Sequence, residues 1–291
     1  MTFVQTYTMS PNPIPPISWD DYSNAATQEF KNLLDRKAEE RVLQGFLERN
    51  PCFVPGAYST QSKSGHAPIH WCLFTQPRLP GLASKVPDFM WISKNSDYIQ
   101  PVLIEIESPK KLYFNKDDSF SADFNHAITQ IYDWRAWFDD PANIQIFQRE
   151  YRIYDQFQFN KRKVRPLFLL IYGRTQETEN SQTRADRKSQ LSREDITVMS
   201  YDRLAASHDQ SYYFCGRARS DGFEVVEFPE YLCLSPCFVE DLYQFRGQIE
   251  AIEKSKRIQP ERKKFLLERL YYWNEWVRSG AQGIRNTGHK E

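Results

Sequence analysis

Two short stretches carry residue types and spacings that can do chemistry. One is Val86-Pro87-Asp88-Phe89-Met90; the other is Leu103-Ile104-Glu105-Ile106-Glu107-Ser108-Pro109. Side chains alternate faces along a strand, so Val102, Ile104 and Ile106 point one way and Glu105 and Glu107 the other. Two carboxylates on one face repel each other unless a cation or a base lies between them. The segment from Ser93 to Gln100 is short enough to make the two strands an antiparallel pair, which sets Asp88 alongside Glu105. Asp88 lies within an apolar strand, where a solvated surface acid is out of place. Acids on neighbouring strands make a small oxygen cage suited to Mg²⁺ or Mn²⁺, hard ions that take carboxylate and water ligands. A metal held this way activates water and stabilises charge on a phosphorus oxygen, so the expected chemistry is phosphodiester hydrolysis.

The elements that must position these acids follow from periodicity. Residues 1–26 are rich in Pro, Asn, Ser and Thr and read as an extended arm or a docked tail. A helical pattern runs from about Asn24 to Arg49 and stops at Asn50-Pro51. Strands are expected at Ile69–Thr75, Val86–Ile92 and Pro101–Glu107. An amphipathic helix is expected over Ser121–Phe138, with Ala127, Ile131, Trp134 and Phe138 on one stripe. Further strands are expected at Pro166–Tyr172 and Ile196–Ser200, and Thr175–Ser192 reads as an exposed helix or a loop. Beyond about Ala206 the pattern is a strand, Gly222–Phe228, then helices over Val239–Lys256 and Pro260–Val277. The expected organisation is an arm at 1–26, an α/β domain at 27–205 and a smaller, mainly helical extension at 206–291.

Composition narrows the function classes. The chain has 291 residues, with 38 Lys and Arg balanced by 38 Asp and Glu. A neutral chain exerts no global pull on a polyanion, so nucleic-acid contact must come from local patches. The segment Lys161–Arg193 holds nine basic residues against three acids, and within it Lys161, Arg162, Lys163 and Arg165 are the expected DNA contacts. No apolar run approaches the length of a membrane helix, and the N-terminus lacks the pattern of a secretion signal. Five cysteines at irregular spacing do not form a disulfide framework. A soluble cytoplasmic protein without a membrane partner is expected. Cys52, His66, His70 and Cys72 could be offered as a zinc site, but Pro68 breaks the helical His pair and no paired-Cys knuckle is present. There is no phosphate-binding Gly-rich loop and no Gly-x-Ser-x-Gly elbow, which argues against NTP or serine-nucleophile chemistry.

The Pro87-Asp88 and Glu105-Ile106-Glu107 pair resembles the PD-(D/E)XK nuclease signature, and the helix, strands, helix, strand order is similar to that core. The runs ERVLQGFLERNP (40–51), PDFMWI, IEIESPKKLYF and AITQIYDWRAW resemble the Shedu anti-phage proteins over about residues 30–205. The resemblance implies a restriction-endonuclease-like mixed sheet flanked by helices. It also implies a Mg²⁺- or Mn²⁺-dependent DNA endonuclease of bacterial defence, assembled as a homodimer or homotetramer. Asp88 and Glu105 would be the metal-binding acids, Gln130 an auxiliary group, and Glu40 an acid directed at the metal from the first helix. Glu107 departs from the pattern, because a Lys usually stands there to orient water or neutralise the phosphate. Glu107 is then an extra ligand or base, or Lys110 or Lys111 supplies the missing cation, or the site is inactive. The alternative function is a catalytically inactive nuclease-fold protein that binds nucleic acid or scaffolds a defence assembly.

Overall fold

The computed structural model describes residues 6–59, 66–82, 86–153, 162–206, 212–281, 283 and 291. Ser18 ends the Pro-rich stretch by accepting from the Asp21 N–H, which starts helix α1 at Trp19–Asp35. The expected arm is therefore shorter than 1–26, and its last residues are helical. The preceding segment is docked rather than free. Tyr7 is buried with its ring 5.5 Å from Trp273 and 5.7 Å from Trp276. The single helix expected over Asn24–Arg49 is two, because Lys37 adopts a left-handed backbone and breaks the run before α2, Glu40–Arg49.

Strand β1 is Cys72–Thr75; the three residues before it form a 3-10 turn rather than strand. Strands β2 (Phe89–Lys94) and β3 (Tyr98–Ile106) form the expected antiparallel hairpin, with Phe89 opposite Ile104 and Lys94 opposite Ile99. Helix α3 spans Ala122–Asp139, capped by Ser121, and α4 spans Pro141–Glu150. Then follow β4 (Lys163–Val164), β5 (Leu167–Ile171), short helices α5 (Gln176–Glu179) and α6 (Gln182–Ser189), β6 (Ile196–Met199) and α7 (Tyr201–Ala206). Residues after the expected 205/206 boundary supply β7 (Phe214–Arg219), β8 (Gly222–Glu227) and β9 (Phe245–Arg246). Helices α8 (Val239–Tyr243), α9 (Gln248–Lys254) and α10 (Pro260–Arg278) complete the chain. The helix expected over Val239–Lys256 is interrupted by β9 and by Gly247 at φ 78°.

Among the described residues the strands make one mixed sheet of nine, ordered β6-β5-β3-β2-β1-β7-β8-β9, with β4 beside β3. The C-terminal region thus adds three strands to the same sheet, besides its helices. Both faces are covered. Phe89, Trp91, Val102, Ile104 and Ile106 pack against α1 and α2, whereas Met90, Ile92, Leu103, Phe168 and Leu170 pack on the face covered by α3 and α10. The alternation expected for β3 holds, but both of its faces are interior. Trp134 and Ile131 of α3 are fully buried, and burying such side chains contributes roughly 1.5–3 kcal/mol each. No helix among the described residues is long and apolar enough to cross a membrane.

Candidate active site

Strands β1, β3, β5, β6 and β7 run in one direction, so their carboxyl ends share an edge of the sheet. Open α/β sheets bind ligands outside that edge. Asp88 enters β2 there. Its carbonyl accepts from Gln76 N at 2.8 Å, and its Oδ2 accepts from Ile106 N at 2.9 Å. One register step beyond the Phe89–Ile104 pair, Asp88 stands opposite Glu105, as the short hairpin requires.

Glu105 is buried on the α3 side of the sheet. Ala127, Ile131 and Trp134 press α3 onto that face, which brings Gln130 of the same helix to Glu105. Gln130 Nε2 donates to Glu105 Oε1 at 2.7 Å. Glu105 Oε2 is buried with no hydrogen-bond partner. The carboxyl of Asp88 is close enough for its charge to act on Glu105. Glu107 follows β3, its N–H donating to Ile171 O at 2.9 Å and its Oε2 accepting from Lys111 Nζ at 2.5 Å. Glu40 opens α2, where a carboxylate complements the helix N-terminus, and lies near the Ser108 backbone.

The electrostatics follow from crowding four acids together, with Glu105 and Glu107 buried and Glu40 half-buried. Desolvation first, then Glu40 and Glu107, push the Asp88 carboxyl up to about 7. Desolvation first, then Asp88, Glu107 and Glu40, push Glu105 up to about 10. Burial and Glu107 raise Glu40, while Lys111 opposes the rise. Tyr201, at the start of α7, joins the same group. Its hydroxyl is fully buried and unpartnered, and burial followed by the charges of Asp88, Glu40, Glu107 and Glu105 holds it far above its usual range.

Of the two lysines after Glu107, Lys111 meets the acids. Lys110 Nζ instead reaches Glu39 Oε1 at 2.5 Å on the exposed surface. The loop carrying both is fixed from behind: Glu177 accepts from the N–H groups of Tyr113 and Phe114 at 2.7 and 2.8 Å. Gly173 lets this loop approach the end of β5, since a Cβ there would lie 2.9 Å from Lys111 O. Lys37, Lys110, Lys111 and Arg174 line a groove of about 680 Å³ beside the loop.

The structure does not bring the expected DNA contacts to this edge. Lys161 lies outside the described residues. Lys163 pairs with Tyr98, at the opposite end of β3. Seven residues from Tyr98 to Glu105 at about 3.3 Å each place Lys163 roughly 23 Å from the acids. Arg165 accompanies it, paired with Glu194 and lying over the Tyr98 ring, and Arg162 adjoins β4. Trp134 and Phe138 are core, as their helical spacing implies, and His70 is buried with Nε2 against Tyr151 O at 2.8 Å. Cys52 and Cys72 are free and buried.

Among the described residues no group of three or more His, Cys, Asp or Glu side chains is gathered tightly enough to hold a metal by itself. Mg²⁺-type ions are commonly held by one or two carboxylates, with waters and phosphate completing the shell. Asp88 and Glu105 fit that donor set, and the partnerless oxygen between mutually repelling acids is what a cation would relieve. Residues 37–205, more than half of the chain, match the family model described as Shedu protein SduA, C-terminal. No curated protein matches the chain.

Proposed function

The chain belongs to the Shedu family, which points to a role in anti-phage defence, and on that premise we propose that it is a divalent-cation-dependent DNA endonuclease on a restriction-endonuclease-like PD-(D/E)XK core. One observation carries the reading: Asp88 and Glu105 face each other across β2 and β3 with a buried carboxylate oxygen left unpartnered. Asp88 and Glu105 would hold Mg²⁺ or Mn²⁺, with Glu107 and Glu40 behind them. When bound, the ion supplies water activation and charge neutralisation at the scissile phosphate.

The chain's own groups do the rest. Gln130 fixes one oxygen of Glu105, which leaves the other free to act. Lys111 sets an ammonium at Glu107, so the cation that Glu107 displaces returns four residues later in sequence. Positioned there, Lys111 offsets the negative charge gathering on the phosphate. Tyr201 offers a buried hydroxyl donor beside the same acids. Burial of Glu105 and Glu107 keeps bulk water away, which strengthens each of these interactions.

The inactive nuclease-fold reading is favoured by one feature, Glu107 in the lysine position; the Lys111 contact counters it. A plasmid-nicking assay with Mg²⁺ or Mn²⁺ separates the two. Nicking by the unaltered chain that is lost in Glu105→Gln supports hydrolysis at this site. Nicking that survives the substitution removes the site, and no nicking under either ion favours the inactive protein.

A further inference from the structure

We propose that Arg78, Arg217 and Arg219 grip the DNA backbone next to the acid pair, an assignment that rests on the hydrolytic reading above. These arginines and Asp88 line one open cleft of about 560 Å³, together with Gln76 and Val86. The topology explains the convergence. Strand β7 runs parallel to β1 with Gly216 beside Phe74, so Arg217 comes level with Thr75 and Ala218 with Gln76. Gln76 in turn bonds the Asp88 backbone. Asp88 and Arg217 are thus two strand spacings apart, about 10 Å along the same sheet edge.

That separation suits phosphates flanking the scissile one, not the scissile phosphate itself. Arg78 lies 3.4 Å from Glu150, and Arg219 pairs with Glu224 at 2.9 Å; Glu224 also faces Arg246 at 3.9 Å. Arg217 differs from both, since its Nε is buried with no hydrogen-bond partner. Arg217 still lines the cleft, and a planar guanidinium matches phosphate oxygens. The basic residues at 162–165 sit on the opposite edge and do not share the cleft. The backbone path is therefore across the carboxyl ends of β7 and β1, the amino end of β2 and the carboxyl end of β3, passing the acids on its way to Lys111.

Binding is read by anisotropy of a fluorescein-labelled DNA duplex in a Glu105→Gln background, which separates grip from hydrolysis. Combined Arg78→Gln, Arg217→Gln and Arg219→Gln substitutions raise Kd about tenfold or more, and the slope of log K against log salt falls by about one per arginine. Combined Lys163→Gln and Arg165→Gln substitutions leave Kd and slope unchanged. If the triple variant unfolds, judged by circular dichroism, the exposed pair Arg78→Gln and Arg219→Gln reads the same effect, with a slope loss of about two. Unchanged Kd and slope in the triple variant overturn the proposal, as does a loss confined to the Lys163 and Arg165 variant. A chain that nicks plasmid yet binds independently of the arginines refutes only this inference. A chain that nicks nothing yet loses binding with them refutes only the hydrolytic reading.

Discussion

Replacing Glu105 by Gln removes one titratable group and keeps an oxygen for Gln130 Nε2, now 2.7 Å away. In the folded chain burial, then neighbouring acids, push the Glu105 carboxyl up to about 10, whereas an unfolded glutamate titrates near ~4.3. Between those limits the native state holds a proton that the unfolded chain releases. A raised acid leaves stability intact below the unfolded value and erodes it as pH rises toward the folded one. One such proton is equivalent to about 1.4 kcal/mol per pH unit, or about 2.7 kcal/mol over the interval from roughly pH 5 to 7. Urea unfolding followed by tryptophan fluorescence in EDTA measures it. The stability of Glu105→Gln relative to the unaltered chain should grow by about 2–3 kcal/mol across that interval. A difference that does not change with pH would mean both carboxyls are ionised and apart, and the crowded-acid account would be wrong. Adding Mn²⁺ to about 100 times its Kd should restore about 2.7 kcal/mol to the unaltered chain and nothing to the variant.

Other outcomes follow from particular contacts. Lys111→Ala should slow plasmid nicking by about 10²–10³-fold, the size of losing one preorganised charge donor; Lys110→Ala, whose partner is the exposed Glu39, should nick nearly as the unaltered chain does. Gly56→Ala should lower unfolding stability by about 1–3 kcal/mol or more, because φ is +113° and the new Cβ would meet Val102 Cγ1 at 2.7 Å. Gly81→Ala, also at positive φ but with nothing within 4 Å, should cost less in the same thermal-unfolding comparison. Trp134→Ala should cost about 3–5 kcal/mol in denaturant unfolding, since the ring is fully buried in α3's contact with the sheet.

The acid pair was legible because a short hairpin leaves little freedom of register. Once Ser93–Gln100 joins two strands, the partner of Asp88 is fixed within a residue. Helix α3 was legible from its apolar stripe, and that stripe also placed Gln130. The break in the first helix was not, since nothing about Lys37 as a residue type announces a left-handed backbone. Strand β7 escaped because Phe-Cys-Gly-Arg-Ala-Arg carries a glycine and two exposed-type charges, although Phe214, Cys215 and Ala218 are buried. With β7 went Arg217 and Arg219 of the Asp88 cleft. The basic run at 162–165 lies away from the acids for a topological reason. A chain re-entering a sheet parallel to the strand it left must return to that strand's beginning. Residues just before β5 therefore lie opposite those just after β3. The same rule could have pointed to Tyr201, which directly follows a parallel strand at the carboxyl edge.

The shared cation is tested most directly by anomalous diffraction from crystals soaked in Mn²⁺. The account predicts one peak within about 2.0–2.6 Å of carboxylate oxygens from both Asp88 and Glu105. A soaked crystal in which these two carboxylates contact no common ion would contradict it.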